Sequence, residues 1–176
     1  MPLAHLFLLL LALLTAAASG GVWAQAAQLT SATTSLSLRP FVEVLEDADG
    51  SLNIADVERP DIAARFRPVA GRGELNFGYS DATYWLRVRL LAPPGAPSSW
   101  RLEVDQPSLD YLTFFLRHNS GFARLDGGDR TAFAARPYAH RNFVFPLVLS
   151  PDGEQSLYLR VASEGNVHIP LTLWAP

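Results

Sequence analysis

The sequence contains no cysteine. Disulfides, thiolate metal sites, thiol catalysis and lipid attachment to an N-terminal cysteine are therefore excluded. Lysine is missing too, because all fourteen basic residues are arginine. We read this as codon bias, although an arginine-only surface still favours planar, bidentate and ring-stacking contacts. Seventeen acidic residues against fourteen basic ones leave a net charge of -3. Phosphate contacts need a basic surplus on one face, so nucleic acid is not an expected partner. Long helical patterns are also scarce, since thirteen prolines and twelve glycines cut the apolar pattern into short pieces. There is no Gly-x-Ser-x-Gly elbow and no Gly-rich phosphate loop. His5 lies in the N-terminal apolar segment, and His118, His140 and His168 lack ligand spacing. No catalytic residue, metal or other cofactor is expected.

What is present suits one domain with a core of its own, given 49% hydrophobic residues in a chain of 176. Residues 1–26 read as a signal peptide: an apolar run from Leu6 to Leu14, then small residues, then Ala24 and Ala26 placed as for signal peptidase. Only His5 and the amino terminus precede the run, so an uncleaved anchor is the alternative. Either way the remainder crosses a membrane, and a bacterial periplasm is the expected location. Residues 27–38 are read as a polar leader and 39–174 as the domain.

The sharpest pattern lies in Tyr84 to Leu91. In an extended chain Leu86, Val88 and Leu90 fall on one side and Trp85, Arg87 and Arg89 on the other. A one-residue slip would bury unpaired guanidinium groups, so the register is strongly specified. Similar short runs follow at Trp100 to Val104, Tyr111 to Arg117, Asn142 to Leu149, Ser156 to Val161 and Val167 to Trp174. Proline and glycine turn signals separate them, which predicts an all-β antiparallel sandwich. Its interior is expected to hold Leu86, Val88 and Leu90; Leu102 and Val104; Leu112, Phe114 and Leu116; Phe143, Phe145, Leu147 and Leu149; Leu157, Leu159 and Val161; and Val167, Ile169, Leu171 and Leu173.

Upstream, a strand is expected near Arg39 to Leu45, and the acidic run Glu46 to Ser51 reads as a tight turn around Gly50. As a calcium loop it would place its twelfth position, counted from Asp47, at Glu58 inside a predicted helix. That helix starts at Ile54 behind Asn53, with Asp56 completing a capping box, and Pro60 ends it. Its modest stripe of Ile54, Val57, Ile62 and Phe66 predicts a flap over one end of the sandwich.

Several stretches carry a family resemblance. They are Leu45-Glu46-Asp47 with Gly50, Leu75-Asn76-Phe77-Gly78-Tyr79-Ser80 leading into Tyr84-Trp85-Leu86-Arg87, and Leu102-Glu103-Val104 with Pro107. Further on come Leu109-Asp110, Gly128-Asp129, Arg136-Pro137, Phe143 to Leu147, Leu157 to Val161 and Pro170 to Trp174. In this order they resemble the type 2 extracellular sensor domain of seven-transmembrane receptors with diverse intracellular signalling modules. The resemblance implies a periplasmic jelly-roll sandwich similar to carbohydrate-binding modules, placed before seven membrane helices and a cytoplasmic output such as a histidine kinase or diguanylate cyclase. The chain stops at Pro176, where the membrane region would begin, and is read as a fragment or a stand-alone form.

Flat rings beside hydrogen-bonding groups suit a sugar or small acid. The outward set offers Trp85, Arg87 and Arg89 on one strand, Glu103 and Asp105 on another, and Tyr158 with Arg160 on a third. On the bland reading, Arg87, Arg89 and Arg160 pair with Glu103 and Asp105 on a solvated face. Asp110, Tyr111, Arg136, Tyr138, His140 and Arg141, in or beside long loops, form a second candidate set at the sandwich edge. Three functions stay open: a sensor binding a carbohydrate or small molecule, an interaction module that self-associates or meets a partner sensor kinase, and a glycosidase. Membrane contact is expected only through an uncleaved anchor or downstream helices.

Overall fold

The alternation around Leu86 produces the strand the pattern predicts. The structure is a computed structural model describing residues 24–69, 73–151 and 153–176. In it Leu86, Val88 and Leu90 are buried on β6 (Thr83–Leu91), the middle of a seven-stranded sheet. Its neighbours are β3 (Val42–Asp47) on one side and β11 (Glu154–Ala162) on the other, both antiparallel. Beyond β11 lie β8 (Tyr111–His118) and then β9 (Gly121–Gly127), while β4 (Arg67–Pro68) flanks β3. The order is thus β4-β3-β6-β11-β8-β9, with β1 (Ala27–Gln28) pairing in parallel with Leu90 and Leu91 of β6.

A second sheet of four strands has the order β10-β7-β13-β2. It joins β10 (Phe143–Val148), β7 (Ser99–Val104), β13 (Leu171–Trp174) and β2 (Ser35–Ser37). A short ladder joins β5 (Asn76–Tyr79) to β12 (Asn166–His168). The inner faces of the two large sheets share one hydrophobic core, which contains every residue the alternation assigned to the interior. Phe114 stacks on Phe145 across it at 5.3 Å.

The expected all-β antiparallel sandwich is therefore present, with three differences in detail. The first predicted strand begins later, at Val42, after a 3-10 turn over Arg39–Phe41. The last predicted run is broken at Ile169 and Pro170 into β12 and β13. Residues 27–38, read as a leader, supply two strands of the fold. The signal peptide reading rests almost wholly on residues 1–23, which lie outside the described residues.

The turn after β3 forms as expected, with Gly50 at a positive φ of 66° and its N–H donated to the Asp47 carbonyl at 3.2 Å. Asn53 and Asp56 make the full capping box at the start of α1 (Ile54–Val57). Pro60 opens α2 (Pro60–Ala63), so the two short helices meet at the proline, whose fixed φ suits a first helical turn.

Candidate functional site

The flap does not close an end of the sandwich. Leu52, Ile54, Val57, Ile62 and Phe66 lie on the outer face of the seven-stranded sheet, where they form a second core with Leu45, Trp85, Phe115 and Tyr158. Strand register explains why these side chains meet. One row across the sheet reads Glu43, Arg87, Tyr158, Phe115, Arg124, and the next reads Leu45, Trp85, Arg160, Thr113, Asp126. Side chains in such rows stand on the same face, so Trp85, Arg87, Tyr158 and Arg160 are true neighbours.

They are not, however, an open docking surface. Trp85 is 0% exposed, Tyr158 4% and Arg87 5%. The physical reason is the apolar stripe of the flap, which gains more by covering these rings than by meeting water. Arg87 tolerates the burial because Glu43 accepts from its Nε at 2.8 Å and the Phe66 ring lies 4.3 Å from its guanidinium carbon. Burial also raises the Tyr158 phenol above its ordinary range.

Where the flap ends, the face opens into a cleft of about 250 Å³. Leu52, Asn53 and Ile54 form its flap rim, while Trp85, Thr113 and Phe115 lie toward the sheet. Trp85 and Phe115 stack at 5.8 Å, and both are buried beneath the cleft. Arg124 and Arg160 complete the lining, which includes no carboxylate. Arg124 is neutralised by Asp126, whose Oδ1 accepts from its Nη2 at 3.0 Å, and Thr113 donates to the same oxygen. Arg160 is different: its Nη2 donates to the Gly50 carbonyl at 3.1 Å, and among the described residues no carboxylate lies within 4.0 Å of it. The Trp85 Nε1, wholly buried, has no acceptor among the described residues. A buried donor left unpaired costs about 1–3 kcal/mol.

The other predicted site residues are dispersed. Glu103 and Asp105 belong to the four-stranded sheet and its exit, on the opposite side of the molecule's core from Arg87, Arg89 and Arg160. The expected pairing of those arginines with Glu103 and Asp105 does not occur. Both carboxylates instead accept from Asn142 Nδ2, each at 2.7 Å, and Glu103 also accepts from Trp174 Nε1 at 2.8 Å. Arg89 meets Glu154 at 3.6 Å and the Ala24 carbonyl.

Asp110 holds loops together: it accepts from Arg130 Nε at 2.9 Å, Ser163 Oγ at 3.0 Å and the Glu164 N–H at 2.6 Å. The Arg130 hydrogen bond, first among the causes, keeps its carboxyl below the usual carboxylate range. Arg136 clamps its own loop, donating to the carbonyls of His140 and Arg141 and lying over the Phe143 ring at 4.6 Å. Tyr138 faces Arg101 at 5.6 Å beside a small hollow of about 140 Å³ on the four-stranded sheet. Tyr111 is exposed at the start of β8, on the same face as Thr113 and Phe115.

Thr113, Phe115 and Arg124 were missed by sequence reasoning, as was the flap rim. Alternation along Tyr111 to Arg117 already put Tyr111, Thr113 and Phe115 on the outward side, which was the available signal. Nothing comparable marked Arg124, because β9 was not read as a strand.

Two antiparallel sheets around one core, one of them covered in part by a flap that borders a cleft, define an all-β sandwich domain. Residues 39–175 match the family model of the 7TMR-DISM extracellular 2 domain, and the chain belongs to that family. It is thus of the extracellular sensor type carried by membrane receptors. No curated protein matches the chain. Among the described residues no helix is long and apolar enough to cross a membrane.

Proposed function

We propose that this domain is the periplasmic ligand-sensing input of a bacterial signalling receptor, with no catalytic activity of its own, and that its carbohydrate or other small polar ligand docks in the flap cleft. The observation that carries the reading is a pair of donors there: the Trp85 indole N–H, which has no acceptor among the described residues, and the Arg160 guanidinium, which meets a backbone carbonyl and no carboxylate among them. A site built to hydrogen-bond a ligand leaves such groups unpaired until the ligand arrives. The cleft also suits signalling, because its rim is the flap itself. A ligand entering beside Trp85 moves Leu52 to Ile54, and with them the Arg160 tie to Gly50 and the Arg117 to Glu58 ion pair.

A thermal-shift screen of the purified secreted protein against sugars, amino acids and organic acids tests this reading. A ligand that raises the melting temperature of the native protein and not of Trp85→Phe supports it. Ligands that stabilise both equally place the site elsewhere. The glycosidase reading gains nothing from the cleft, whose lining has no carboxylate for acid or base.

A second reading has its own observation. The outer face of the four-stranded sheet exposes Val148 at 61% and Trp174 at 44%. Self-association or docking of a partner sensor kinase through that face predicts a mass that rises with concentration in light scattering. A strict monomer at high concentration removes the self-association arm.

A further inference from the structure

The donors of the cleft have a common chemical requirement, and it narrows the ligand. An indole N–H and a guanidinium can only donate, whereas a sugar hydroxyl both donates and accepts. Arg160 carries a full positive charge, half-buried, donates to the Gly50 carbonyl, and has no carboxylate within 4.0 Å among the described residues. A cation removed from bulk water without a counter-charge is costly, and a carboxylate is the group that repays it with two acceptor oxygens. Arg124, in the same lining, already has its counter-charge in Asp126. Among the described residues, the charge of the cleft left without a carboxylate is therefore that of Arg160.

We propose that the flap cleft binds a small carboxylate, its carboxyl group seated between the Arg160 guanidinium and the Trp85 indole N–H. This rests on the ligand-sensing reading above and specifies its chemistry. The cleft, at about 250 Å³, is smaller than the roughly 300–1,000 Å³ of ordinary ligand pockets, so the ligand is a single sugar acid or an organic acid and not a glycan chain. The Phe115 ring, 6% exposed and stacked on Trp85, is an apolar contact for the carbon skeleton that opens with the same rim. Because Trp85 has no exposed surface, the carboxylate meets Arg160 first and reaches the indole as the Leu52 to Ile54 rim yields. In doing so it competes with the Gly50 carbonyl for the guanidinium, which couples occupancy to the turn at the base of the flap.

The test uses matched probes on the secreted protein: glucuronate against glucose, galacturonate against galactose, and succinate against succinamide, measured by calorimetry. Binding of at least one acid, with no binding of its neutral counterpart, is expected. The sugar pairs and the succinate pair separate a sugar acid from a plain organic acid. Arg160→Gln and Trp85→Phe are each expected to weaken that binding tenfold or more, with Arg160→Lys partly retaining it and all three keeping the native far-UV circular dichroism and a cooperative thermal transition. Raised salt weakens it further. Equal binding of acid and neutral partner overturns the carboxylate assignment. If that binding is still lost in Trp85→Phe, the wider sensing reading survives. Acid binding untouched by both Arg160→Gln and Trp85→Phe overturns the site, and silence of all six probes overturns the carboxylate claim and leaves the sensing reading to the broader screen.

Discussion

At the scale of single residues, two buried carboxylates carry more of the fold than their exposure on a helical wheel or strand pattern suggests. Glu43 is 1% exposed and joins three segments, accepting from Arg87 and from the Ala24 N–H at 3.0 Å. Removing one member of a buried ion pair leaves the other charge uncompensated. Glu43→Ala should cost about 3–5 kcal/mol in urea denaturation, while a Glu43→Gln variant, which keeps an acceptor, should lose less. Asp110 acts through pH. Its folded carboxyl titrates below the ordinary 3.8, so the stability it contributes is present at neutral pH and is lost as pH falls through about 4 toward the folded value. Denaturation between about pH 5 and pH 2 should show a shallower acid slope in Asp110→Asn than in the native protein. An unchanged slope would mean the Arg130, Ser163 and Glu164 contacts carry no linkage. Parity was fully legible at this scale. Leu86 and Val88 were placed inside and Trp85 outside the main core, as found, but that the outside would be roofed could not be read from alternation alone.

At the scale of elements, the flap was half legible. Its capping box followed from Asn53 and Asp56 three residues apart, a local signal. Its destination did not, because packing of a short apolar stripe is decided by the strand order beneath it. Only when β11 is known to lie beside β6 does the plate of Trp85, Tyr158 and Phe115 become visible as a landing surface. The edge strand β9 was missed for a related reason: it mixes Phe122 on the flap side with Leu125 against the main core, and glycines bracket it. Asn53→Ala removes the acceptor for two helix N–H groups and should cost about 0.5–2 kcal/mol. Hydrogen exchange should accelerate over residues 52–66 and not in β6, if the flap opens as a unit. Tyr158 reports the same motion. Its phenol is kept neutral by burial, so the stability it supports is present below about pH 10 and lost as pH rises through the higher folded value. Ultraviolet titration should therefore find one tyrosine ionising late, and earlier in Asn53→Ala.

At the scale of the whole molecule, the two faces of the sandwich differ in kind. One sheet is covered in part by the flap, with a cleft at the flap's edge and Tyr111 exposed beyond it; the other leaves its outer face to solvent, with Val148 and Trp174 exposed. The family match begins at residue 39, yet β1 and β2 precede it and pair with β6 and β13. Ala27, Leu29 and Leu38 are each 0% exposed. A chain truncated to begin at Arg39 should melt at a lower temperature than one beginning at Ala24, and equal melting temperatures would show that the first strands add nothing. The sensor class was legible because the family signature is spread over nearly the whole domain. The grouping of the candidate residues was legible only in part: Trp85 and Arg160 line one cleft, whereas Glu103 and Asp105 lie on the other sheet, a separation that depends on strand order.

The indole N–H of Trp85 gives the most direct test. In a nitrogen-15 correlation spectrum, assigned with Trp85→Phe, its resonance can be followed during titration with glucuronate and with glucose. Trp100 and Trp174 already donate to Pro97 and Glu103, so they serve as internal references. The expected result is a downfield shift of the Trp85 signal as it gains an acceptor, with those of Trp100 and Trp174 still. Movement of Trp174 with Trp85 unmoved would contradict the account and assign the ligand to the open sheet.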